Sequence, residues 1–263
     1  MQGPANDQRR IWLLAGTGDG PRLAPSLLNR GWAVTVSVVT PAATAAYEGL
    51  PLDAMRVGPL AGPSGIHEEL LRMGPFRWVV DATHPFATRI SQDLWDACQC
   101  RAQPMLRFDR RTEPLGTAAL LASVEALASQ GLSGHRLLLA VGGRHLSCLA
   151  DAVRQAGAVP YARALPSTEG LRAALSAGLA SDHLAVLRPL QGDPPGAIER
   201  ALCRRWQISA VLCRQSGGVT EQLWHRLASE LGLRLLLLKR PPLPAGVDPI
   251  EDEQMLLHRL EQD

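Results

Sequence analysis

The stretch "IWLLAGTGDG", residues Ile11 to Gly20, decides how this chain is expected to fold. Its first half, Ile11 to Ala15, is a short apolar run of the kind that forms a buried strand, and it passes directly into a glycine-rich turn. The sequence then predicts a helix over Pro21 to Arg30 and a valine-rich strand over Trp32 to Val39. Strand, turn, helix and strand in this order predict a parallel βαβ unit.

The alternation continues to the end of the chain in two series. A polar segment, "DRRTEPLGT" at Asp109 to Thr117, separates them. We therefore predict an α/β protein with two Rossmann-like domains, each a mainly parallel sheet flanked by helices, with a cleft between them. Residues 1–112 are expected to form a dinucleotide-binding domain and residues 113–263 a substrate-binding α/β domain. The later strands are predicted at Trp78–Val80, Pro104–Phe108, Arg136–Val141, Leu184–Leu187, Ile208–Cys213 and Arg234–Leu238.

Composition and charge exclude several classes of protein. The chain has 263 residues, is 46% hydrophobic and carries a net charge of only +2, which argues against a disordered chain and against a nucleic-acid partner. Its five cysteines show no paired metal-ligand spacing, so no metal site is expected. The N-terminus has no signal-peptide pattern and no apolar run is long enough to span a bilayer. We expect a cytoplasmic protein with no membrane partner, either a monomer or a small homo-oligomer.

Arginine makes up almost all of the basic residues, because Lys239 is the single lysine. Arginine binds carboxylates and phosphates through two parallel hydrogen bonds, so this bias suits a polyanionic ligand. A GC-rich genome explains the same bias and is the simpler interpretation. For Arg107, Arg110 and Arg111 individually, a solvated surface position is expected.

The glycine-rich turn after the first strand is the first candidate site. Gly16, Thr17, Gly18, Asp19 and Gly20 are predicted to bind a nucleotide, because such a turn directs backbone N–H groups and a helix N-terminus at a phosphate. Asp19 is expected to cap the helix. The alternative is a tight turn with no ligand, since the spacing is not a strict G-x-G-x-x-G.

The end of the second strand is expected to meet the adenosine ribose of a dinucleotide. No acidic residue is present there, and Ser37 and Thr40 are predicted to tolerate a 2′-phosphate. NADPH is therefore the expected cofactor, with NADH possible because no arginine is present to bind that phosphate.

The stretch "WVVDATHPFA", Trp78 to Ala87, ends a third strand in polar residues. This strand is expected to lie in the same sheet, so Asp81, Thr83 and His84 would border the nicotinamide, with Asp81 and His84 catalytic and Thr83 binding the cofactor. The alternative is structural: Asp81 or Thr83 caps the next helix and His84 bonds a backbone carbonyl.

Two further strand–glycine–helix junctions, "VGGRH" and "CRQSGG", occur in the second half. Both are typical of anion sites. They provide the predicted substrate-binding residues, Arg144, Arg214, Gln215, Ser216 and Gly217.

Taken together, four stretches resemble the precorrin-6A reductase family: Gly16–Gly20, Asp81–Ala87, Gln215–Gly218 and Arg240–Val247. They occur in the family's order, and "DATHPFA" is the most specific. The resemblance implies a cobalamin-pathway oxidoreductase that uses NAD(P)H to reduce one double bond of a tetrapyrrole polycarboxylate, precorrin-6A or its cobalt form, to give precorrin-6B. Where the family often has Ala-Gly-Arg after the second strand, this chain has Val39-Thr40-Pro41.

The resemblance implies a mechanism in which the first domain holds the dinucleotide and the second binds the carboxylates of the macrocycle. His84 is then the candidate proton donor, with solvent or the substrate itself as alternatives. Two other functions stay open from the residues alone. One is a non-catalytic NAD(P)-binding sensor module, and the other is a nucleotide-sugar transferase built from two facing α/β domains.

Overall fold

The computed structural model describes residues 9–16 and 18–262, except for the side chain of Arg144. The chain divides into two compact units. The first contains the described residues up to Arg111 together with those from Pro241 onwards, and the second is Thr112–Arg240. Each unit has its own six-stranded parallel sheet with helices around it. The predicted α/β class with two Rossmann-like sheets is therefore confirmed.

Strands and helices alternate along nearly the whole of the described chain. The strands are β1 Arg10–Ala15, β2 Ala33–Val38, β3 Ala54–Val57, β4 Trp78–Ala82, β5 Met105–Phe108, β6 Ala119–Leu121, β7 Arg136–Ala140, β8 Val159–Ala164, β9 Leu184–Val186, β10 Ala210–Arg214, β11 Arg234–Leu238 and β12 Pro249–Ile250. The α-helices are α1 Asp19–Asn29, α2 Gly62–Met73, α3 Thr88–Cys100, α4 Leu146–Gln155, α5 Thr168–Ser176, α6 Ala197–Arg205, α7 Val219–Leu231 and α8 Glu253–Glu261. None of these helices is long and apolar enough to cross a membrane.

The sheet of the first unit has the order β12-β5-β4-β1-β2-β3. This corresponds to the 3-2-1-4-5-6 order of dinucleotide-binding folds, with the chain's last strand in the sixth position. The central strands are buried on both faces, as parallel strands covered by helices must be. The strand order reverses between β1 and β4, and ligands of such sheets bind beyond the carboxyl ends of the strands at that point.

The sheet of the second unit has the order β6-β11-β10-β7-β8-β9. Here β7 and β10 are the central pair at which the order reverses, so they correspond to β1 and β4 of the first unit. The sixth position is filled differently, because β6 comes at the start of this unit instead of at its end.

The C-terminal segment corrects the predicted domain boundary, which assigned all of residues 113–263 to the second domain. β12 pairs in parallel with β5, and leucines of α8 pack into the core of the first sheet. Glu253, at the start of α8, bonds Arg22 and Ser26 of α1. The last segment therefore completes the first unit. A two-residue strand gives too little periodicity for its pairing to be seen in the sequence.

Candidate functional site

The turns after β1 and β4 lie side by side in the first unit. β1 and β4 pair in parallel up to Ala15 and Ala82. A Cβ added to Gly16 would lie 3.8 Å from both the backbone N of His84 and the Cα of Thr83. The glycine turn and the polar turn are thus brought together at the point where the strand order reverses.

Two positions of the first turn are glycine for different structural reasons. Gly18 precedes α1 with φ −63°. Among the described residues, no side chain caps the helix there and no atom would lie within 4 Å of a Cβ on Gly18. Gly20 is buried, and a Cβ there would overlap Tyr47 Oη and the Ala15 side chain, both closer than 3.0 Å. Burial raises the pKa of Tyr47 to about 12. Gly18 therefore leaves room for a ligand, whereas Gly20 permits close helix–strand packing; Thr17 lies outside the described residues.

Asp19 is the first residue of α1 and not its cap. Its carboxylate is nearly buried; Oδ2 lies 2.5 Å from Nη1 of Arg110 and Oδ1 lies 3.7 Å from Nη2 of Arg22. The expectation of a solvated position for Arg110 is therefore wrong, since its side chain is only 18% exposed. The segment after β5 brings Arg110 to the start of α1.

Asp81 and Thr83 face the protein interior and bond to Arg107. Asp81 Oδ1 lies 2.8 Å from Arg107 Nη1 and accepts the N–H of Thr83 at 2.9 Å. Arg107 Nη1 also donates to Thr83 Oγ1 at 3.0 Å and to Ser91 Oγ at 3.3 Å, and Nη2 donates to Asp109 at 3.3 Å. Both side chains are therefore held in a buried network, which gives them a structural role; that Asp81 is catalytic and that Thr83 binds the cofactor stay predictions.

Arg107, at the centre of this network, is the residue whose position the sequence analysis predicted wrongly. It was expected at the surface but is 1% exposed. The signal was present, since an arginine inside the short strand Met105–Phe108 has to be buried if that strand is central. The network also affects a neighbouring thiol, because burial, with the nearby charge of Asp81, raises the pKa of Cys98 to about 12.

His84 follows this network and is half-buried. Its Nδ1 accepts the backbone N–H of Phe86 at 3.1 Å. An imidazole nitrogen that accepts a hydrogen bond carries no proton, so the proton of neutral His84 lies on Nε2. The ring is thereby fixed as a hydrogen-bond donor through Nε2.

At the end of β2, the two predicted cofactor residues differ. Ser37 is buried and its Oγ accepts the indole N–H of Trp12 at 2.8 Å, which gives it a structural role in the sheet; its contact with the ribose stays a prediction. Thr40 is exposed and begins the 3-10 segment Pro41–Tyr47. Arg56 on the adjacent strand β3 is held by Glu69 at 2.7 Å.

In the second unit, the turn after β7 is covered by neighbouring groups. A Cβ on Gly142 would lie 3.8 Å from Nη2 of Arg214, and one on Gly143 would lie 3.1 Å from the side chain of Ala173 in α5. The Arg214 guanidinium therefore lies against the glycine turn. The side chain of Arg144 lies outside the described residues.

The turn after β10 is largely occupied by the protein's own groups. Glu221, fully buried in the first turn of α7, accepts the N–H of Gly217 at 2.6 Å, so this amide already has a partner within the protein; substrate binding by Gly217 stays a prediction. Gln215 Oε1 accepts the N–H of Arg240 at 3.2 Å, so Gln215 links the ends of β10 and β11. Ser216 is buried. The negative Glu221 makes this helix N-terminus a poor anion site.

Residues 10–261 match the family model described as "Precorrin-6x reductase CbiJ/CobK". The chain is 33% identical to a cobalt-precorrin-6A reductase of Synechocystis sp. over 242 residues, 90% of each protein. It is 30% identical to a precorrin-6A reductase of Rhodococcus erythropolis over 251 residues, 92% of this chain and 94% of the relative. A solved structure of CobK precorrin-6A reductase is similar over 95% of this chain and 96% of that one, with TM-score 0.74 and 26% identity. The order of its strands and the length of these matches show that the chain belongs to the precorrin-6x reductase family.

Proposed function

We propose that this protein reduces one double bond of precorrin-6A, or of its cobalt form, with a nicotinamide dinucleotide as electron donor. The observation that carries the proposal is the family match over residues 10–261, in a chain whose first unit has the strand order of dinucleotide-binding folds. The relatives from Synechocystis sp. and Rhodococcus erythropolis are named for cobalt-precorrin-6A and precorrin-6A respectively, so both substrates are candidates.

The turn after β1 fits the pyrophosphate of such a cofactor. The N-terminus of α1 has no side-chain cap among the described residues, and the space over Gly18 is open. A phosphate can therefore approach the backbone N–H groups of this turn, where the helix dipole favours negative charge. When bound, the reduced nicotinamide supplies the hydride.

His84 is proposed to contact the cofactor or substrate beside this turn. With Nδ1 bonded to Phe86, the residue donates a hydrogen bond from Nε2 to a carbonyl or carboxylate. Acting as an acid would require a second proton on Nδ1, at the expense of the Phe86 bond. We therefore favour a positioning and hydrogen-bonding role for His84, with solvent or substrate supplying the proton for the carbon next to the one that accepts the hydride.

The finer choice of NADPH over NADH rests on Thr40. The residues at the end of β2 include no carboxylate that would repel a 2′-phosphate. Thr40, which lies just beyond this strand, has an exposed side chain. Thr40→Asp is expected to raise the dissociation constant for NADPH by about tenfold through like-charge repulsion, and that for NADH much less. Equal effects on the two cofactors would count against this assignment.

In the second unit, Arg214 is proposed to bind substrate carboxylates, together with Arg144 and Ser216. The guanidinium of Arg214 lies against Gly142, so its position is defined by the turn. A bidentate arginine–carboxylate pair suits a polycarboxylate ring. Arg214→Lys is expected to raise KM for the macrocycle while leaving the affinity for NADPH unchanged.

The decisive experiment is titration with NADPH and NADH, followed by anaerobic turnover with precorrin-6A and cobalt-precorrin-6A. We expect nicotinamide oxidation that is matched by a product with two more hydrogens. Cofactor binding without oxidation in the presence of either macrocycle would instead favour a sensor module.

A matched variant tests the location of the cofactor. Gly18→Ala is expected to leave the stability unchanged within about 0.5 kcal/mol, because the new methyl meets no atom and φ is ordinary. The same methyl stands where the phosphate would approach, so cofactor affinity is expected to fall by about tenfold or more. Unchanged affinity would remove this turn from the site.

A further inference from the structure

The start of α1 combines two features that conflict electrostatically. The N-terminus of the helix favours an anion, and in the proposed function a dinucleotide pyrophosphate is that anion. Yet the first helical residue, Asp19, already provides a carboxylate there, and that carboxylate is nearly buried. Two negative groups close together in a low-dielectric setting repel each other strongly.

Arg110 offsets the charge of Asp19. Its Nη1 lies 2.5 Å from Asp19 Oδ2, while the second cation, Arg22, lies 3.7 Å from Oδ1. Arg22 is also shared, because it bonds Glu253 and lies over the ring of Phe108 at 5.3 Å. Arg110 is therefore the main source of compensating charge among the described contacts of Asp19.

The pair also links two parts of the ligand-binding edge. Arg110 follows β5 and Asp19 follows β1, and the two strands are separated in the sheet by β4. The side chains of Asp19 and Arg110 are 10% and 18% exposed, so water screens their charges only weakly. Removal of either side chain would therefore leave an uncompensated charge beside the glycine turn.

We propose that Arg110 is a positioning residue of the dinucleotide site, which neutralises Asp19 and so admits a polyanionic cofactor at the start of α1. This inference rests on the proposed function. It assigns to Arg110 a compensating role and not a direct phosphate contact, and the two roles give different results in a double-mutant cycle.

The test measures the dissociation constant of NADPH by calorimetry for the wild type, Arg110→Gln, Asp19→Asn and the double variant. Arg110→Gln is expected to weaken binding about tenfold, equivalent to about 1.4 kcal/mol. Asp19→Asn is expected to bind at least as tightly as the wild type. The double variant is expected to return to within about threefold of the wild type, because the uncompensated charge is gone.

Arg111→Gln is the matched control. Arg111 is the next residue, its side chain is 72% exposed, and it pairs with Glu251 instead of Asp19. Its replacement removes the same charge from the same segment and is expected to leave the NADPH affinity within about twofold of the wild type. High salt is expected to reduce the difference in NADPH dissociation constant between Arg110→Gln and the wild type.

The outcomes separate the two proposals. A wild-type protein that binds no dinucleotide would overturn the proposed function and this inference with it. NADPH binding by the wild type, with Arg110→Gln equally tight or the double variant as weak as Arg110→Gln, would overturn the inference alone. If Arg110→Gln does not fold, weaker binding by Asp19→Asn than by the wild type overturns it instead.

Discussion

Replacing Arg107 by methionine is expected to destabilise the first unit strongly. Arg107 is 1% exposed and compensates two carboxylates, Asp81 at 2.8 Å and Asp109 at 3.3 Å. Methionine fills much of the volume but leaves both carboxylates in the interior without their cation. Removal of one partner from a buried ion pair costs about 3–5 kcal/mol. That is a large share of a total stability of about 5–15 kcal/mol.

The measurement is hydrogen exchange followed by mass spectrometry, because a chain with two units need not unfold in one step. Amides of β4 and β5 are expected to lose about 3–5 kcal/mol of protection in Arg107→Met. Amides of the second unit serve as the internal reference. Arg72→Met is the control for a charge removed from the surface: Arg72 is 64% exposed and pairs with Glu69, so a change below about 1 kcal/mol is expected.

A compensated variant tests the electrostatic cause. In the triple variant Arg107→Met, Asp81→Asn, Asp109→Asn, the buried charges are removed together while the side-chain volumes are nearly kept. It is expected to recover most of the loss, since an uncharged replacement of a buried ion cluster is often close to neutral. A loss below about 1 kcal/mol in Arg107→Met, or no recovery in the triple variant, would refute the reasoning.

Three further outcomes are expected. Gly20→Ala should cost about 1–3 kcal/mol in urea unfolding, because its methyl would overlap Tyr47 Oη and the Ala15 side chain; an unchanged midpoint would contradict the packing role. The hydrogen bonds of Arg10 lower the pKa of Asp53 below its ordinary value of 3.8, so its stabilisation is present above that pH and lost as the pH falls below it. Asp53→Asn should therefore be less stable than the wild type at pH 7, and the difference in stability should shrink as the pH falls below 3.8. Iodoacetamide at pH 8 should label two exposed cysteines rapidly and three buried ones only on unfolding. Burial raises the pKa of two of the buried thiols to about 12 and raises that of the third well above its ordinary value; mass spectrometry assigns the sites. The exposed cysteines are Cys100 and Cys148, and the buried ones are Cys98, Cys203 and Cys213.

The fold was predictable from the sequence wherever a strand is long and apolar. The runs at Ile11–Ala15 and Arg234–Leu238 are recognisable as strands from their continuous apolar sequence, because interior parallel strands are buried on both faces. The edge strand β3 is short and only partly buried, so it lacks that pattern and was missed. The edge strand β9 has equally few apolar residues, but it was predicted within one residue of its observed end. β8 was missed for another reason: Pro160 and Arg163 interrupt an otherwise buried strand.

The chemistry of the candidate site was predictable, but its partners were not. The sequence identified Asp81 and Thr83 as polar residues at a strand end, and Arg107 was also singled out as an arginine, but at the surface. What determines their role is register, which pairs Asp81 with Arg107 across β4 and β5. Register depends on packing between strands that are far apart in sequence. The local pattern therefore could not tell a buried ion pair from a catalytic carboxylate.

The two units have the same central topology, but their glycine turns differ in how accessible the backbone is. The turn after β1 is open over Gly18, so a phosphate can reach the backbone. The equivalent turn after β7 is covered: Arg214 lies against Gly142, and α5 packs on Gly143. In the proposed function, a ligand of the second unit is therefore bound through side chains, above all an arginine, which suits carboxylates that project from a ring. The same central topology thus presents accessible backbone at one glycine turn and a guanidinium group at the other.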